Sequence, residues 1–339
     1  MKGKKIKKAI CLAAGLACAA VFSEDSTEAR TQRLHDSKWG VFNHFLAVKM
    51  TEEAWNAKVD AIDVEKIADQ LSSCGAKFYF ITLMQGGRHL CAPNATFDRI
   101  AGTQPGVACS RRDLPGELAE ALERRGIDLY LYFTGDGPYK DLEIAPRFGY
   151  GKDGKHSGKV SRDFVEKWAS VMAEYSQRYG RRVKGWWLDG CYARIGYDDD
   201  LLLLYRKAAQ SGNPDSVVSF NGGVFPYYER RSVNEDFTAG EFNDFYVIPR
   251  QRMIDGAQAF ILAPLGVPPP GTPENRREWS TWCKPGCKRD ADYMADYVNL
   301  VNRNGGVVTI DVFLGKDGSF APEQLEVLKA VGRRTGTLK

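Results

Sequence analysis

Val183-Lys184-Gly185-Trp186-Trp187-Leu188-Asp189-Gly190 reads as a short buried strand that runs directly into a carboxylate and a glycine. The bulky apolar residues favour a strand covered on both faces, as in a parallel sheet. Glycine at 190 lets backbone or ligand come close to the acid. An acid at the C-terminal lip of such a strand is where (β/α)8 barrels keep their chemistry. The competing role for Asp189 is a helix cap.

Working outward, strand-like and helix-like segments alternate along the chain. Strands are expected at 39–45, 77–83, 128–134, 183–188, 216–221, 236–241, 257–263 and 307–312. Helices are expected at 63–73, 113–125, 161–179, after Asp198-Asp199-Asp200, at 290–303 and at 322–333. The aspartate triplet is read as a helix N-cap rather than a cation site. Residues 23–33 are read as a loose polar stretch, and Pro268-Pro269-Pro270 opens a long loop ending near Gly286. Eight apolar strands interleaved with helices predict an α/β fold, a (β/α)8 TIM-like barrel. Connections between strands five, six and seven are too short for full helices, so the barrel is expected to be irregular there.

Composition narrows the function. Of 47 basic residues, Lys2, Lys4, Lys5, Lys7 and Lys8 lie in the first ten positions; setting those five aside leaves 42 against 43 acidic residues. A near-neutral chain gives no electrostatic footprint for nucleic acid. The lysines precede an alanine-rich apolar run from Ala9 to Phe22, the layout of a secretory signal peptide, taken as residues 1–23. That run is too short for a comfortable membrane span. Export to the periplasm or the outside is expected, and a lipoprotein less so, because Gly15 stands three residues before Cys18. Residues 24–339 are read as one catalytic domain without a C-terminal β-sandwich. Of eight cysteines, six follow the leader, and an exported chain could oxidise some of them. Cys283-Lys284-Pro285-Gly286-Cys287 has no second Cys/His pair to complete a zinc knuckle, so neither metal nor cofactor is expected.

The strand ends of such a barrel supply Asn43-His44, Met84 to His89, Thr134-Gly135-Asp136, Asp189, Asn221, Glu241 and Asp311. Two carboxylates from different strands, with aromatic residues and a histidine nearby, fit glycoside hydrolysis. No nucleophile elbow of a serine hydrolase is present.

The ordered set of motifs resembles the α-L-fucosidases of glycoside hydrolase family 29 over residues 33–333. His35-Asp36-Ser37-Lys38-Trp39-Gly40-Val41-Phe42-Asn43-His44-Phe45 looks like that family's entry motif, and Gly75-Ala76-Lys77-Phe78-Tyr79 like its lead into strand two. Trp187-Leu188-Asp189-Gly190 matches the strand carrying the nucleophile, and Asp236-Phe237-Thr238-Ala239-Gly240-Glu241 the segment whose glutamate is acid/base in some members. Asn304-Gly305-Gly306-Val307 through Asp317-Gly318 and Glu323-Gln324-Leu325 parallels its closing strand and helix.

The resemblance implies a retaining glycosidase with Asp189 as nucleophile and Glu241 as acid/base. His44, Trp187, Gln85, His89, Asn221 and Trp55 are expected to bind sugar; Glu229, Glu235 and Glu278 are reserve acids. The histidine pair that follows strand two in the family is replaced by Met84-Gln85-Gly86-Gly87-Arg88, which puts the fucose specificity in question. Arg230 and Arg231 are candidate stand-ins for a family arginine after strand five, and Asp136 and Asp311 could be loop caps. The alternatives are a hydrolase for a different sugar and a carbohydrate-binding protein on a disabled barrel.

Overall fold

The computed structural model describes residues 26–156 and 158–338; the leader reading lies outside the described residues. The framework is one parallel sheet of strands β1 (Trp39–Asn43), β2 (Phe78–Thr82), β3 (Asp128–Thr134), β4 (Val183–Asp189), β5 (Val217–Phe220), β6 (Phe260–Pro264) and β7 (Val307–Asp311), in spatial order β5-β4-β3-β2-β1-β7-β6. The sheet curls like a barrel wall, and its outer face is covered by helices.

Local signals explain where those helices start and stop. Asp63, Asp113, Ser161, Asp198 and Asp290 each accept a backbone N–H three residues on, as N-caps. Asp198 thus opens the helix Asp199–Gln210 in the capping role read from the triplet. The helices Val64–Cys74, Leu114–Glu123, Arg162–Tyr179, Ala291–Arg303 and Pro322–Thr335 fall where the apolar periodicity placed them. Three helical pieces had no such strong signal: Gln32–Ser37, Glu52–Asp60 and Ala95–Ala101. The stretch read as loose is helical from Thr27, because Arg30 and Arg33 reach buried acids, Asp236 and Asp128.

The expected closed eight-stranded barrel is not formed. Seven strands pair, and the sheet stays open between β5 and β6. The segment expected as a sixth strand, 236–241, crosses that opening with only isolated bridges, Phe237 to Gln258 and Glu241 to Leu262. Gly240 sits at φ 53°, a left-handed turn that breaks the extended backbone. On the β5 side carboxylates replace most of the ladder: Asp236 accepts from Val218 N at 3.0 Å and Glu235 from Phe220 N at 3.2 Å. The expected seventh strand is divided too. Ala257–Gln258 pairs antiparallel with Met253–Ile254 through an Asp255-Gly256 turn, and the sheet strand begins only at Phe260.

The two-residue period of the strands sorts their side chains. Phe42, Phe78, Phe80, Tyr130, Tyr132, Trp187, Phe237 and Phe260 form one buried cluster inside the curl, and Leu34 of the N-terminal helix joins them. The opposite faces, with Val41, Tyr79, Leu131 and Trp186, pack under the helices. The interior is therefore a filled core, open only where the inward positions at the C-terminal ends turn polar. Among the described residues, no helix is long and apolar enough to cross a membrane.

Candidate active site

Continuing the inward period by one step beyond the aromatic core brings Asp189 to the end of β4, beside Thr134 of β3. Asp189 and Glu241 both line a cavity of about 960 Å³ at this end of the sheet. Four donors converge on the Asp189 carboxylate. Oδ2 accepts from Tyr132 Oη at 2.5 Å and Gln85 Nε2 at 3.3 Å; Oδ1 accepts from Gly190 N and Asn221 Nδ2, both at 2.8 Å. Burial pushes the Tyr132 phenol well above its ordinary range, so it serves as a donor. Gly190 adopts φ 75°, and a β-carbon there would lie 2.3 Å from Asp136 Oδ1. A side chain at that turn would be strained.

Asn221, one residue past β5, joins the two acids. Its Nδ2 also donates to Glu241 Oε2 at 2.5 Å, while its Oδ1 accepts from Gly223 N at 3.0 Å. That last bond orients the carboxamide, since the nitrogen must then face the carboxylates. Asp189 Oδ1 and Glu241 Oε2 can be no further apart than the 2.8 Å and 2.5 Å bonds laid end to end. That bound is compatible with the ~5–5.5 Å carboxyl spacing of retaining glycosidases. Burial, and then the neighbouring Asp189 charge, push the Glu241 carboxyl up to about 8, against a smaller lowering by the Asn221 hydrogen bond. One member of the pair is thus favoured in its protonated form at neutral pH.

The rest of the cavity wall mixes aromatic and polar groups with aliphatic side chains such as Val48, Met50 and Leu314. His44 hydrogen-bonds through Nδ1 to Asp311 Oδ1 at 2.9 Å, which in the neutral ring leaves Nε2 as an acceptor. Asp311 is fully buried and its other oxygen accepts from Cys283 N, so it orients His44 as well as the loop. Trp282 packs edge-on to His44 at 5.2 Å between centroids. Trp187 stacks on Tyr132 at 5.3 Å and donates its indole N–H to Ala239 O. Gln85 donates to both Tyr132 and Asp189.

The structure therefore gathers Asp189, Glu241, His44, Trp187, Gln85 and Asn221 in one place, and leaves two candidates out. Trp55 is buried in the core beneath the cavity, with its indole N–H on Leu90 O. His89 is held by Met50 O, its ring 5.9 Å from that of Trp55. Neither lines the cavity, because Trp55 turns its indole inward from the helix Glu52–Asp60 and the Met50 carbonyl holds the His89 ring. Arg230 and Arg231 are taken up by loop carbonyls, Arg231 by those of Cys191 and Tyr197. Glu235, a reserve acid, is buried under backbone donors at the sheet opening. Asp136 sits half-buried behind Gly190 and is bonded by Thr134 Oγ1 at 2.6 Å. Sequence reasoning missed Tyr132 and Trp282. The alternation of β3 placed Tyr132 inward, two residues before the strand end; Trp282 comes from a loop with no periodic signal. The six described cysteines carry free thiols, and no cluster of three or more metal-ligating side chains occurs among the described residues.

No protein-family model matches the chain, and no curated protein does. Solved structures do. Its fold is shared with glycoside hydrolases. The endo-fucoidan hydrolase MfFcnA4 of glycoside hydrolase family 107 superposes with TM-score 0.66 at 14% identity, over 89% of this chain and 53% of that one. The family 107 endo-fucoidan hydrolase P5AFcnA gives 0.65 at 16% identity over 89% and 93% of the two chains. An α-L-fucosidase of family 29 from Bacteroides thetaiotaomicron gives 0.59 at 17% over 91% and 73%. The chain spans about half the length of the first of these. At such identities the likeness is one of fold.

Proposed function

We propose that the protein is a retaining glycoside hydrolase acting on an α-L-fucoside or a fucose-containing polysaccharide. The observation that carries this is Asn221 tying Asp189 to Glu241 at the cavity wall. The Asp189 carboxylate attacks the anomeric carbon and forms a glycosyl ester as the bond to the leaving oxygen breaks. Glu241 gives its proton to that oxygen. Glu241, now ionised, takes a proton from water, whose oxygen attacks the anomeric carbon and frees Asp189. Its upward shift suits the first step, because a neutral acid is needed to donate. Tyr132 and Gln85 orient the nucleophile, and His44, Trp187 and Trp282 offer hydrogen bonds and ring faces to the sugar. The fucose part of the reading rests on the motif resemblance and on the substrates named for the structural neighbours; Gln85 stands where the family places its histidine pair. The leader favours export of the enzyme.

The test is a panel of aryl glycosides led by the α-L-fucoside, with fucoidan alongside, against wild type and Asp189→Ala. Release from a fucoside or fucoidan that disappears in the variant is expected. Release only from another glycoside would discard the sugar and keep the chemistry. No release from any substrate, together with sugar-dependent thermal stabilisation, would replace the enzyme with a binding protein.

A further inference from the structure

The loop that leaves β6 at Leu265 and returns at Lys288 carries Trp282, the ring packed edge-on to His44. Its two ends are joined by the Lys288 backbone N–H, which donates to Leu265 O at 2.9 Å. Within the loop, Cys283 N donates to Asp311, the carboxylate that orients His44. Glu241 comes from a different segment. It bridges to Leu262 of β6, and the chain runs on through Phe242, whose N–H donates to Leu262 O at 2.9 Å, to Asn243 and Asp244.

Lys288 stands where the two segments meet. Its half-buried ammonium donates to Asn243 O, two residues past Glu241, and to Thr281 Oγ1 at 3.3 Å, one residue before Trp282. Asn243 and Thr281 are both buried, so water competes little for these bonds. Arg289 grips the same segment, donating to the two carboxylate oxygens of Asp244 at 3.1 and 2.6 Å. Burial pushes the Lys288 ammonium down to about 8; the Asp244 and Asp311 carboxylates act to raise it, Arg289 to lower it and Glu278 to raise it. Hydrogen bonds from a charged donor are roughly twice as strong as neutral ones. A loop held by few packed contacts is also among the first parts of a fold to open. We infer that Lys288 is a positioning residue: it fastens the segment carrying Glu241 to the loop carrying Trp282, so that the proton donor and the sugar-binding ring keep one fixed spacing. This rests on the proposed hydrolase reading and adds to it a residue outside the cavity wall.

The test measures kcat and KM of Lys288→Met on the aryl glycoside that wild type cleaves best. KM is expected to rise by about threefold to tenfold, the worth of one ring contact. The kcat is expected to fall by about tenfold or more, the effect of a misplaced acid. In a Trp282→Ala background the same substitution should leave KM unchanged and still lower kcat, because the two residues share one interaction. Thr281→Val, which cuts the loop side of the bridge, should raise KM and spare kcat. A Lys288→Met protein that loses stability but keeps both constants would make the residue merely structural and overturn the inference. So would KM effects that add in full in the Trp282→Ala background. Should Lys288→Met not fold, Thr281→Val decides, and an unchanged KM there overturns it. If wild type cleaves nothing, the hydrolase reading fails by itself. The clasp is then judged by native thiol labelling of Cys283, expected to run about tenfold faster in Lys288→Met once a charged hydrogen bond no longer holds the loop; an unchanged rate removes it.

Discussion

Asn221 does at this site what no single carboxylate could do alone. It offers both protons of one amide to two acids that repel each other, and its own oxygen is spent on Gly223 N. Removing it should cost catalysis and move the pH profile in a defined direction. Its hydrogen bond lowers the Glu241 pKa, so Asn221→Ala raises it further. Under the proposed mechanism, the basic limb of kcat/KM, expected near 8 from loss of the Glu241 proton, shifts to higher pH in Asn221→Ala. The maximal rate falls by about 100-fold or more, the scale of losing one preorganised donor. A pH–rate profile of both proteins checks this; a basic limb that stays or moves to lower pH would reject Glu241 as the acid. The residues of this pair were legible in the sequence because strand alternation and the motif order both pointed to them. Tyr132 was legible by the same alternation, whereas Trp282 was not, since a loop has no period to read.

At the scale of elements, the opening between β5 and β6 shows how a sheet can be held without a ladder. Asp236 is fully buried and accepts from Val218 N, from Arg30 Nε at 2.9 Å and from both terminal nitrogens of Arg206 at 3.0 and 3.1 Å. Breaking such a buried group by removing one partner costs about 3–5 kcal/mol, because the other charges lose their compensation. Asp236→Ala is therefore expected to lower the unfolding free energy by about that much in a denaturant titration. A loss below about 1 kcal/mol would mean that the arginines hold the opening through other contacts. The sequence reading expected a strand at 236–241. It overlooked Gly240, whose left-handed turn ends the strand, and Asp255-Gly256, a dipeptide that turns a hairpin.

For the whole molecule, the core is divided by the sheet into an aromatic interior and a larger layer under the helices. Four free thiols, Cys74, Cys91, Cys109 and Cys191, belong to the outer layer and are fully buried. Cys283 and Cys287 sit partly exposed in the loop beside the cavity. Burial also pushes the Cys283 thiol up to about 12 and the Cys287 thiol up to about 11. Thiol labelling of the native protein, mapped by mass spectrometry, is expected to reach Cys283 and Cys287 slowly, and the other four only after unfolding. Prompt native labelling of Cys91 or Cys191 would show that the sheet opens locally at the cavity end.

The sequence by itself determined most of the helices and paired strands, and it put Asp189 at a strand end. Apolar runs of strand length, aspartate caps and glycine stops are local signals, and β4 with Asp189 at its lip could be read from eight consecutive residues. Local signals also sufficed for the helix that the aspartate triplet caps. Only the tertiary structure decided that seven strands pair rather than eight, that carboxylates of Glu235 and Asp236 bond the edge of β5, and that Trp55 and His89 fall outside the cavity. It also decided that one amide joins Asp189 to Glu241, twenty residues from its second partner. These outcomes depend on which side chains meet across the curl, and contacts between segments distant in sequence leave no period in the chain for a reader to find.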